Sequence, residues 1–163
     1  MARDFAGRDD SRGGGARVLS VNVSEAKGTR KHPVDRATLV EGFGVEGDAH
    51  GGPWDRQVSL LARESVDKMR ASGMVLSPGD FGENLTTVGI DLASLPVGAK
   101  LRVGSDAELT VTQIGKECHL GCDIRRQVGD CVMPREGIFA RVTRPGAVAP
   151  GDSIEVPSAG ERP

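Results

Sequence analysis

Alternation of apolar and polar residues is the dominant pattern along this chain, and it predicts short β-strands. In the segment Arg17–Val23, residues Leu19, Val21 and Val23 fall on one face, which is the spacing of a strand. Further strands are predicted at residues 85–88, 96–103, 109–114, 137–143 and 150–156. Turns rich in glycine and proline separate them. At least six short strands indicate a mainly β fold, either a barrel or a sandwich with a helical decoration.

One segment shows helical spacing instead. In residues 59–72, SLLARESVDKMRAS, the apolar positions recur at about one helical turn, at Leu61, Ala62, Val66 and Met69. Ser59 can cap the helix at its start, and Gly73 can end it. We therefore expect one peripheral helix over residues 59–72.

The ends of the chain differ from its middle. Residues 1–16 are charged and rich in glycine, and they offer little to bury, so we expect a flexible tail. A chain of 163 residues is most often a single domain. We place that domain at residues 17–157, with a short C-terminal tail at residues 158–163.

Composition narrows the class of protein. The formal net charge of −2 gives no general attraction to nucleic acid. No apolar run reaches the length that crosses a membrane. Three cysteines cannot all pair, and the chain opens on charged residues rather than on a secretory segment. These features predict a reduced, cytoplasmic protein that contacts neither nucleic acid nor membrane.

A loop at residues 43–54, FGVEGDAHGGPW, is too rich in glycine for a helix. Its glycines let the backbone approach a ligand closely, and His50 lies among them. A single histidine is more often a hydrogen-bonded structural residue than a catalyst, so both interpretations stay open. Glu83 and Asn84 stand at the entrance of the strand predicted at residues 85–88.

Candidate chemistry concentrates in residues 113–141, which hold all three cysteines. Cys118 follows a predicted strand end, where a scaffold holds a residue within reach of substrate. Lys116 and His119 favour its thiolate form, which is both nucleophile and metal ligand. Cys131, beside apolar residues, is better explained as a small buried hydrophobe.

Two other interpretations of these thiols remain. Cys118, His119, Cys122 and Cys131 form a partial zinc-ligand set in which the second pair of ligands is missing. Alternatively, Cys122 or Cys131 resolves a sulfenic acid or persulfide formed on Cys118.

Basic residues surround the cysteines, at Lys116, Arg125, Arg126, Arg135 and Arg141. Guanidinium groups suit phosphate or carboxylate oxygens. On a slightly acidic protein this cluster favours a small anionic ligand over a polymer. For Arg125 and Arg126 a solvated surface is an equally good explanation.

Several sequence blocks in one order resemble the MOSC domain, named for the C-terminal domain of molybdenum cofactor sulfurase. They are GVEGDAHGG with RQVSLL, then PGDFGENLT, VTQIGKEC, REGIFARV and PGDSIEV, and the resemblance as a whole runs from about residue 18 to residue 156. The stretch GKECHLGC with GDCVMPREGIFARV is most similar to a bacterial subset that is found alone or beside molybdopterin-adenylyltransferase domains.

The resemblance implies a mainly β, barrel-like fold with a few peripheral helices. It also implies one family cysteine, which maps onto Cys118 and carries sulfur as a persulfide or ligates molybdenum. Many members have proline just before that cysteine, whereas this chain has Glu117, whose carboxylate opposes thiolate formation. Nothing here resembles the pyridoxal-phosphate-dependent desulfurase domain of the full sulfurase. We therefore expect no tightly bound pyridoxal phosphate, which is only a family-level association.

Together with the candidate chemistry around Cys118, this resemblance implies a molybdenum-cofactor protein. Cys118 would take sulfur from a donor persulfide, a sulfurtransferase-like activity in cofactor maturation, or would bind molybdenum directly. The cofactor-binding candidates are His50, Asn84, Lys116, Arg135 and Arg141. Expected partners are a molybdopterin-type ligand and a sulfur-donor desulfurase or another cofactor-biosynthesis enzyme. The alternatives are a non-catalytic cofactor-binding or docking module, and a zinc-stabilised β domain.

Overall fold

The computed structural model describes residues 15–27, 29–71, 73, 75–115 and 136–157. The strands in these ranges are β1 (Arg17–Val23), β2 (His32–Val34), β3 (Ala37–Val40), β4 (Gly44–Val45), β5 (Val58–Ala62), β6 (Leu85–Val88), β7 (Lys100–Val103), β8 (Ala107–Ile114), β9 (Ile138–Arg144), β10 (Gly146–Val148) and β11 (Ile154–Glu155). The helices are α1 (Arg63–Arg70) and a short 3-10 helix (Leu92–Ser94). Residues 1–14 of the predicted N-terminal tail, the whole predicted C-terminal tail and all three cysteines lie outside the described residues.

The strands form two sheets. Eight of them pair in the order β11-β7-β8-β9-β5-β6-β1-β2, and three pair in the order β10-β3-β4. Neighbours are antiparallel except β5 and β6, which run parallel. Parallel neighbours need a crossover connection, and the chain between β5 and β6 contains α1. The mainly β prediction is confirmed.

Aliphatic side chains from both sheets share one core. Leu60, Leu101 and Leu109 of the large sheet are fully buried, and so are Leu39 and Val148 of the small sheet. The small sheet therefore covers part of one face of the large sheet. Burying such side chains is the main favourable term in folding.

The predicted barrel is not found, because the large sheet does not close within the described residues. The chain before β11 meets β1 at one isolated bridge, between Arg17 and Ser153. The backbone N–H of Val18 also donates to the carbonyl of Asp152, at 2.8 Å. A turn at residues 150–151 precedes β11, which is only two residues long, so no continuous ladder forms there.

The predicted helix over residues 59–72 is wrong in its first part. Residues 59–62 belong to β5, and the helix begins only at Arg63. All five residues of β5 are buried between β6 and β9. A short apolar run covered on both faces has the same pattern as a buried helix segment. The helix also ends at Arg70, two residues before the predicted end. Gly73, with a φ of +97°, follows that end, and its N–H donates to Arg70 O at 3.0 Å.

The topology places the cysteine-bearing segment at one end of a hairpin. Ile114 of β8 pairs with Ile138 of β9, and the N–H of Gly115 donates to Gly137 O at 2.6 Å. Residues 116–135 are therefore inserted between two strands that are paired where the chain leaves and returns. In the ranges that the structure describes, no helix is both long and apolar enough to cross a membrane.

Candidate functional site

The structure describes three of the predicted site residues, His50, Asn84 and Arg141. The other three, Cys118, Lys116 and Arg135, lie in the segment 116–135, outside the described residues, as do Glu117, His119, Cys122, Arg125, Arg126 and Cys131. The proposed roles of all these residues stay predictions. The described part of the chain nevertheless shows what surrounds the point at which the segment begins.

His50 belongs to a cluster built around a buried lysine, here called the Lys31 cluster, whose members are Ser24, Lys31, Asp48 and His50. The side chains of Lys31 and Asp48 are both 0% exposed. Lys31 Nζ lies 2.8 Å from Asp48 Oδ1, 3.0 Å from Ser24 Oγ and 3.0 Å from His50 Nδ1. Three acceptors at these distances match the three N–H groups of an ammonium.

Asp48 holds two loops together through the same carboxylate. Its Oδ1 accepts from the backbone N–H of Ser24 at 3.0 Å, and its Oδ2 accepts from the backbone N–H of His50 at 3.1 Å. Burial raises the pKa of Asp48. The hydrogen bond and charge of Lys31, with hydrogen bonds from Ser24 and Asn84, outweigh that effect and lower the pKa below its ordinary value. Asp48 is therefore an ionised partner for Lys31.

Two glycines of the predicted loop, Gly44 and Gly51, lie close to other parts of the protein. A Cβ atom on Gly51 would overlap the ring of Phe43, and one on Gly44, where φ is +127°, would strike the carbonyl of Gln57. At both positions the close approach is to the protein itself. These glycines therefore let the loop pack tightly, which fixes the position of His50.

Trp54 further restrains His50. The two rings are parallel to within 3°, with centroids 6.4 Å apart. Trp54 Nε1 donates to the backbone carbonyl of His50 at 2.8 Å. The imidazole is only 25% exposed. Its orientation is thus set by a salt-bridged cluster on one side and by an aromatic ring beside it.

The loop formed by residues 48–56 lies against the outer face of β8 and β9. Arg141, on β9, lies with its Nε 3.4 Å from Asp55 Oδ1 and donates to Trp54 O at 3.3 Å. On β8, the hydroxyl of Thr112 donates to the carbonyl of Asp55. Both strands therefore hold the 48–56 loop, and Arg141 directly contacts the loop that carries His50.

A second set of bonds connects the 48–56 loop to the end of β8. Arg56 Nε donates to Gln113 Oε1 at 3.1 Å, and Gln113 Nε2 donates to Gly115 O at 2.8 Å. The Arg56 guanidinium also lies over the ring of Phe139, 5.4 Å from its centroid. Gly115 is the last described residue before the segment that holds Cys118. The loop therefore reaches the place where that segment begins.

A shallow cavity of about 250 Å³ lies beside Arg141. Its wall includes Glu41, Pro53, Gln57, Arg141 and Thr143. Arg141 is 48% exposed and Asp55 is 69% exposed. Because an ion pair so open to water is weak, the guanidinium is available to an entering anion.

Asn84 is fully buried and its hydrogen bonds go to the protein. Its Oδ1 accepts from the N–H of Ser59 at 3.0 Å and from the Ser59 hydroxyl at 3.2 Å, and its Nδ2 donates to Asn22 O at 3.1 Å. It also helps to lower the pKa of Asp48. Asn84 thus joins β1, β5 and the Lys31 cluster. The structure brings it near His50 without exposing it.

Glu83, next to Asn84, is a buried carboxyl group. Its Oε2 accepts from the Thr86 hydroxyl at 2.6 Å and from the N–H of Gly79 at 3.0 Å. Its Oε1 has no hydrogen-bond partner among the described residues. Burial raises the pKa of Glu83 above its ordinary value, and those hydrogen bonds only partly oppose the effect.

Sequence reasoning missed Lys31, Arg56 and the role of Asp48. Asp48 had a usable signal, because it is an acidic residue two positions before His50 in a glycine-rich loop. Lys31 had none, since it lies in a polar stretch where most lysines are solvated. In the part of the chain that the structure describes, no group of three histidine, cysteine, aspartate or glutamate side chains could hold a metal ion.

Comparison with known proteins places this architecture in a family. The chain is 28% identical over 170 residues to the uncharacterized protein YflK of Bacillus subtilis, covering 89% of this chain and 75% of that protein. It superposes on the crystal structure of the YUAD protein from Bacillus subtilis with a TM-score of 0.72 and 25% identity, covering 86% of this chain and 94% of the other.

YiiM from Geobacillus stearothermophilus shares the fold, with a TM-score of 0.67 and 22% identity over 89% of this chain and 76% of that one. The sequence profile of the MOSC domain matches residues 46–155. That range contains the 48–56 loop, both strands that hold it and the segment with Cys118. The chain therefore belongs to the MOSC domain family.

Proposed function

We propose that this protein binds a molybdenum–pterin cofactor, and that Cys118 is the residue that carries sulfur or ligates the metal. Membership of the MOSC family supports the proposal, because the family is associated with the molybdenum cofactor and with sulfur handling. The position of Cys118 supports it too. In the sequence, Cys118 comes three residues after Gly115, which directly follows the paired ends of β8 and β9, and positions just after a strand end commonly carry function.

The observation that carries the proposal is the convergence of three separate chain segments. The 48–56 loop carries His50, contacts Arg141 on β9 and is bonded through Arg56 and Gln113 to Gly115. A glycine-rich loop that carries His50 and Arg56, an exposed guanidinium and the start of the cysteine segment therefore border the same end of the sheet.

The donor groups on these elements fit the proposed ligand. A pterin phosphate is an anion, and Arg141, half exposed beside a cavity, has guanidinium N–H groups suited to phosphate oxygens. The Cys118 thiolate is a soft ligand of the kind that suits molybdenum, in line with general ligand preferences. When bound, the cofactor supplies a metal that can accept a sulfur ligand. Lys116 and Arg135 keep their proposed roles in holding the pterin, whereas the buried Asn84 would support the site indirectly, through its bonds to Ser59 and Asn22.

In the sulfur-carrier role the exchange balances without an added oxidant. The Cys118 thiolate attacks the outer sulfur of a donor persulfide, the donor S–S bond breaks, and the donor thiolate leaves. Cys118 then holds the transferred sulfur as a persulfide. A desulfurase that forms a persulfide on its own cysteine is the class of donor that this step needs.

Mass spectrometry of the intact protein tests the carrier role. Wild type, Cys118→Ala and a matched control, Cys131→Ala, are each incubated with a low-molecular-weight persulfide and then desalted. We expect wild type and Cys131→Ala to gain one reducible sulfur atom and Cys118→Ala to gain none. Equal uptake by wild type and Cys118→Ala eliminates the carrier role.

A binding role without sulfur transfer is the second candidate. Arg56 and Arg141 border the site and can hold an anion without thiol chemistry. Pterin affinity and cofactor-dependent activity in cells distinguish the two candidates. A Cys118→Ser protein that retains both in full favours the binding module.

A further inference from the structure

The Lys31 cluster determines which nitrogen of His50 carries the proton. Lys31 Nζ lies 3.0 Å from His50 Nδ1, within hydrogen-bond distance. An ammonium has three donors and no acceptor. Because Lys31 can only donate, Nδ1 must accept, and a neutral imidazole then carries its proton on Nε2.

The surroundings of Lys31 support its charged form. Its Nζ is 2.8 Å from Asp48 Oδ1, and both side chains are fully buried. A buried carboxylate without a cationic partner is costly, so the pair is far more stable with both members ionised. A neutral Lys31, which could accept from Nδ1–H, would leave Asp48 as an unpaired charge.

Asp48 does not compete for the same nitrogen. Its Oδ2 is 3.9 Å from His50 Nδ1, too far for a hydrogen bond, and accepts from the His50 backbone N–H instead. The carboxylate thus orients the His50 backbone while the ammonium orients the ring. Since the two ring nitrogens point in nearly opposite directions, Nε2 points away from Lys31.

We propose that Lys31, held by Asp48 and Ser24, fixes His50 as the neutral Nε2–H tautomer, and that the Nε2–H of this partly exposed ring is a hydrogen-bond donor to an anionic ligand. Lys31 is a positioning residue, because it acts through His50. The inference rests on the proposed function for the nature of the ligand, but the tautomer itself does not depend on that function.

Nitrogen-15 NMR of the histidine-labelled full chain at neutral pH tests the tautomer. Wild type is expected to show His50 protonated at Nε2 alone. Lys31→Met would leave Asp48 buried without a partner, so Lys31→Met/Asp48→Asn is the variant that avoids an unpaired charge. We expect it to show a mixture of tautomers, whereas Arg30→Met, which removes an exposed neighbouring charge, keeps the wild-type signal. A proton on Nδ1 in wild type, or an unchanged tautomer in the double variant, overturns the proposal.

Inorganic phosphate serves as the anion in a second measurement. We expect phosphate to shift the His50 Nε2 signal of wild type, and His50→Phe to bind it about tenfold more weakly, as for loss of one hydrogen bond to a charged group. His50→Gln keeps a side-chain N–H and should restore most of the affinity. Equal affinity in wild type and His50→Phe, or no phosphate binding by wild type, overturns the donor role.

These outcomes separate the inference from the proposed function. Neither NMR nor phosphate binding depends on Cys118. If sulfur transfer fails but His50 shows the expected tautomer, only the carrier role is excluded. If Cys118 takes up sulfur but His50 is not the Nε2–H tautomer, only the inference about Lys31 is excluded.

Discussion

The Asn84 side chain is bonded at its Oδ1 to both the backbone N–H and the hydroxyl of Ser59, at 3.0 and 3.2 Å. Ser59 is in the middle of β5, and Asn84 also donates to Asn22 of β1. One amide therefore connects two strands of the large sheet that are not neighbours, since β6 lies between them.

This arrangement predicts that Asn84 contributes strongly to stability. We expect Asn84→Ala to lower the free energy of unfolding by about 2–4 kcal/mol, since it leaves buried polar groups without partners. Urea denaturation measures the loss, with Thr143→Ala, at an exposed site on β9, as the control. An Asn84→Ala protein as stable as wild type that binds the pterin poorly would instead support a direct ligand role for Asn84.

Glu83 predicts a dependence of stability on pH. Its pKa is raised in the folded protein by burial, so the folded state holds this proton more tightly than the unfolded state. The stability that protonated Glu83 contributes is fully present below the pKa that this group has in the unfolded chain, near 4.5. It is lost as pH rises through the higher pKa of the folded state. Glu83→Gln removes the ionisation, so its stability relative to wild type should increase between pH 5 and pH 8.

Urea denaturation of both proteins at the two pH values provides this comparison. Glu46→Gln, which changes an exposed carboxyl group, is the control and should show no such increase. A stability difference between Glu83→Gln and wild type that stays constant with pH contradicts the account of Glu83.

The pKa shift of Asp48, and so its effect on the pH dependence of stability, is opposite in direction to that of Glu83. Its folded pKa is lowered below 3.8, because Lys31 and the other hydrogen-bond donors outweigh burial. Its stabilising effect is therefore present above the unfolded pKa and lost as pH falls through the folded pKa. Breaking one member of a buried pair costs about 3–5 kcal/mol, so we expect Asp48→Asn to be destabilised by that order at pH 7.

Acid titration of stability checks this expectation. The difference between Asp48→Asn and wild type should shrink below pH 4, and Lys31→Met/Asp48→Asn should be less destabilised at pH 7 than Asp48→Asn alone. An Asp48→Asn variant that is as stable as wild type at pH 7 contradicts the buried ion pair.

The exposed pair of Asp55 and Arg141 predicts an effect on binding without one on folding. Surface ion pairs contribute about 0–1 kcal/mol, so Asp55→Asn should leave stability nearly unchanged. Because the carboxylate competes with an anion for the guanidinium, Asp55→Asn should bind phosphate more tightly and Arg141→Met more weakly. Arg144→Met, on the same strand, is the matched control. Titration calorimetry measures all three, and equal affinities in Arg141→Met and Arg144→Met would exclude Arg141 from the site.

Much of the fold was predictable, because apolar and polar residues alternate along a strand when only one of its faces is buried. The segment Arg17–Val23 matches β1 residue for residue, and the strands at 85–88 and 109–114 were also located. β5 was not recognised, since all five of its residues are buried and alternation disappears. The two-residue β4 is too short to leave a pattern.

The candidate site was predictable only in part. His50 and Arg141 were selected from their residue type and motif position, and the structure connects their segments through Trp54. The Lys31 cluster was not predicted, because Lys31 contacts Asp48 and His50, which lie 17 and 19 positions away along the chain. Such a contact depends on the fold, and no local spacing indicates it.

The most direct test of the central claim is elemental and pterin analysis of the wild-type protein purified without oxygen. The account predicts that molybdenum and a phosphorylated pterin co-purify with wild type in comparable amounts, and that Arg141→Met retains less of the pterin than Arg144→Met. Stoichiometric zinc without pterin would instead support a zinc-stabilised domain. Wild-type protein that contains no pterin and does not take it up when the isolated cofactor is supplied would contradict the proposed function.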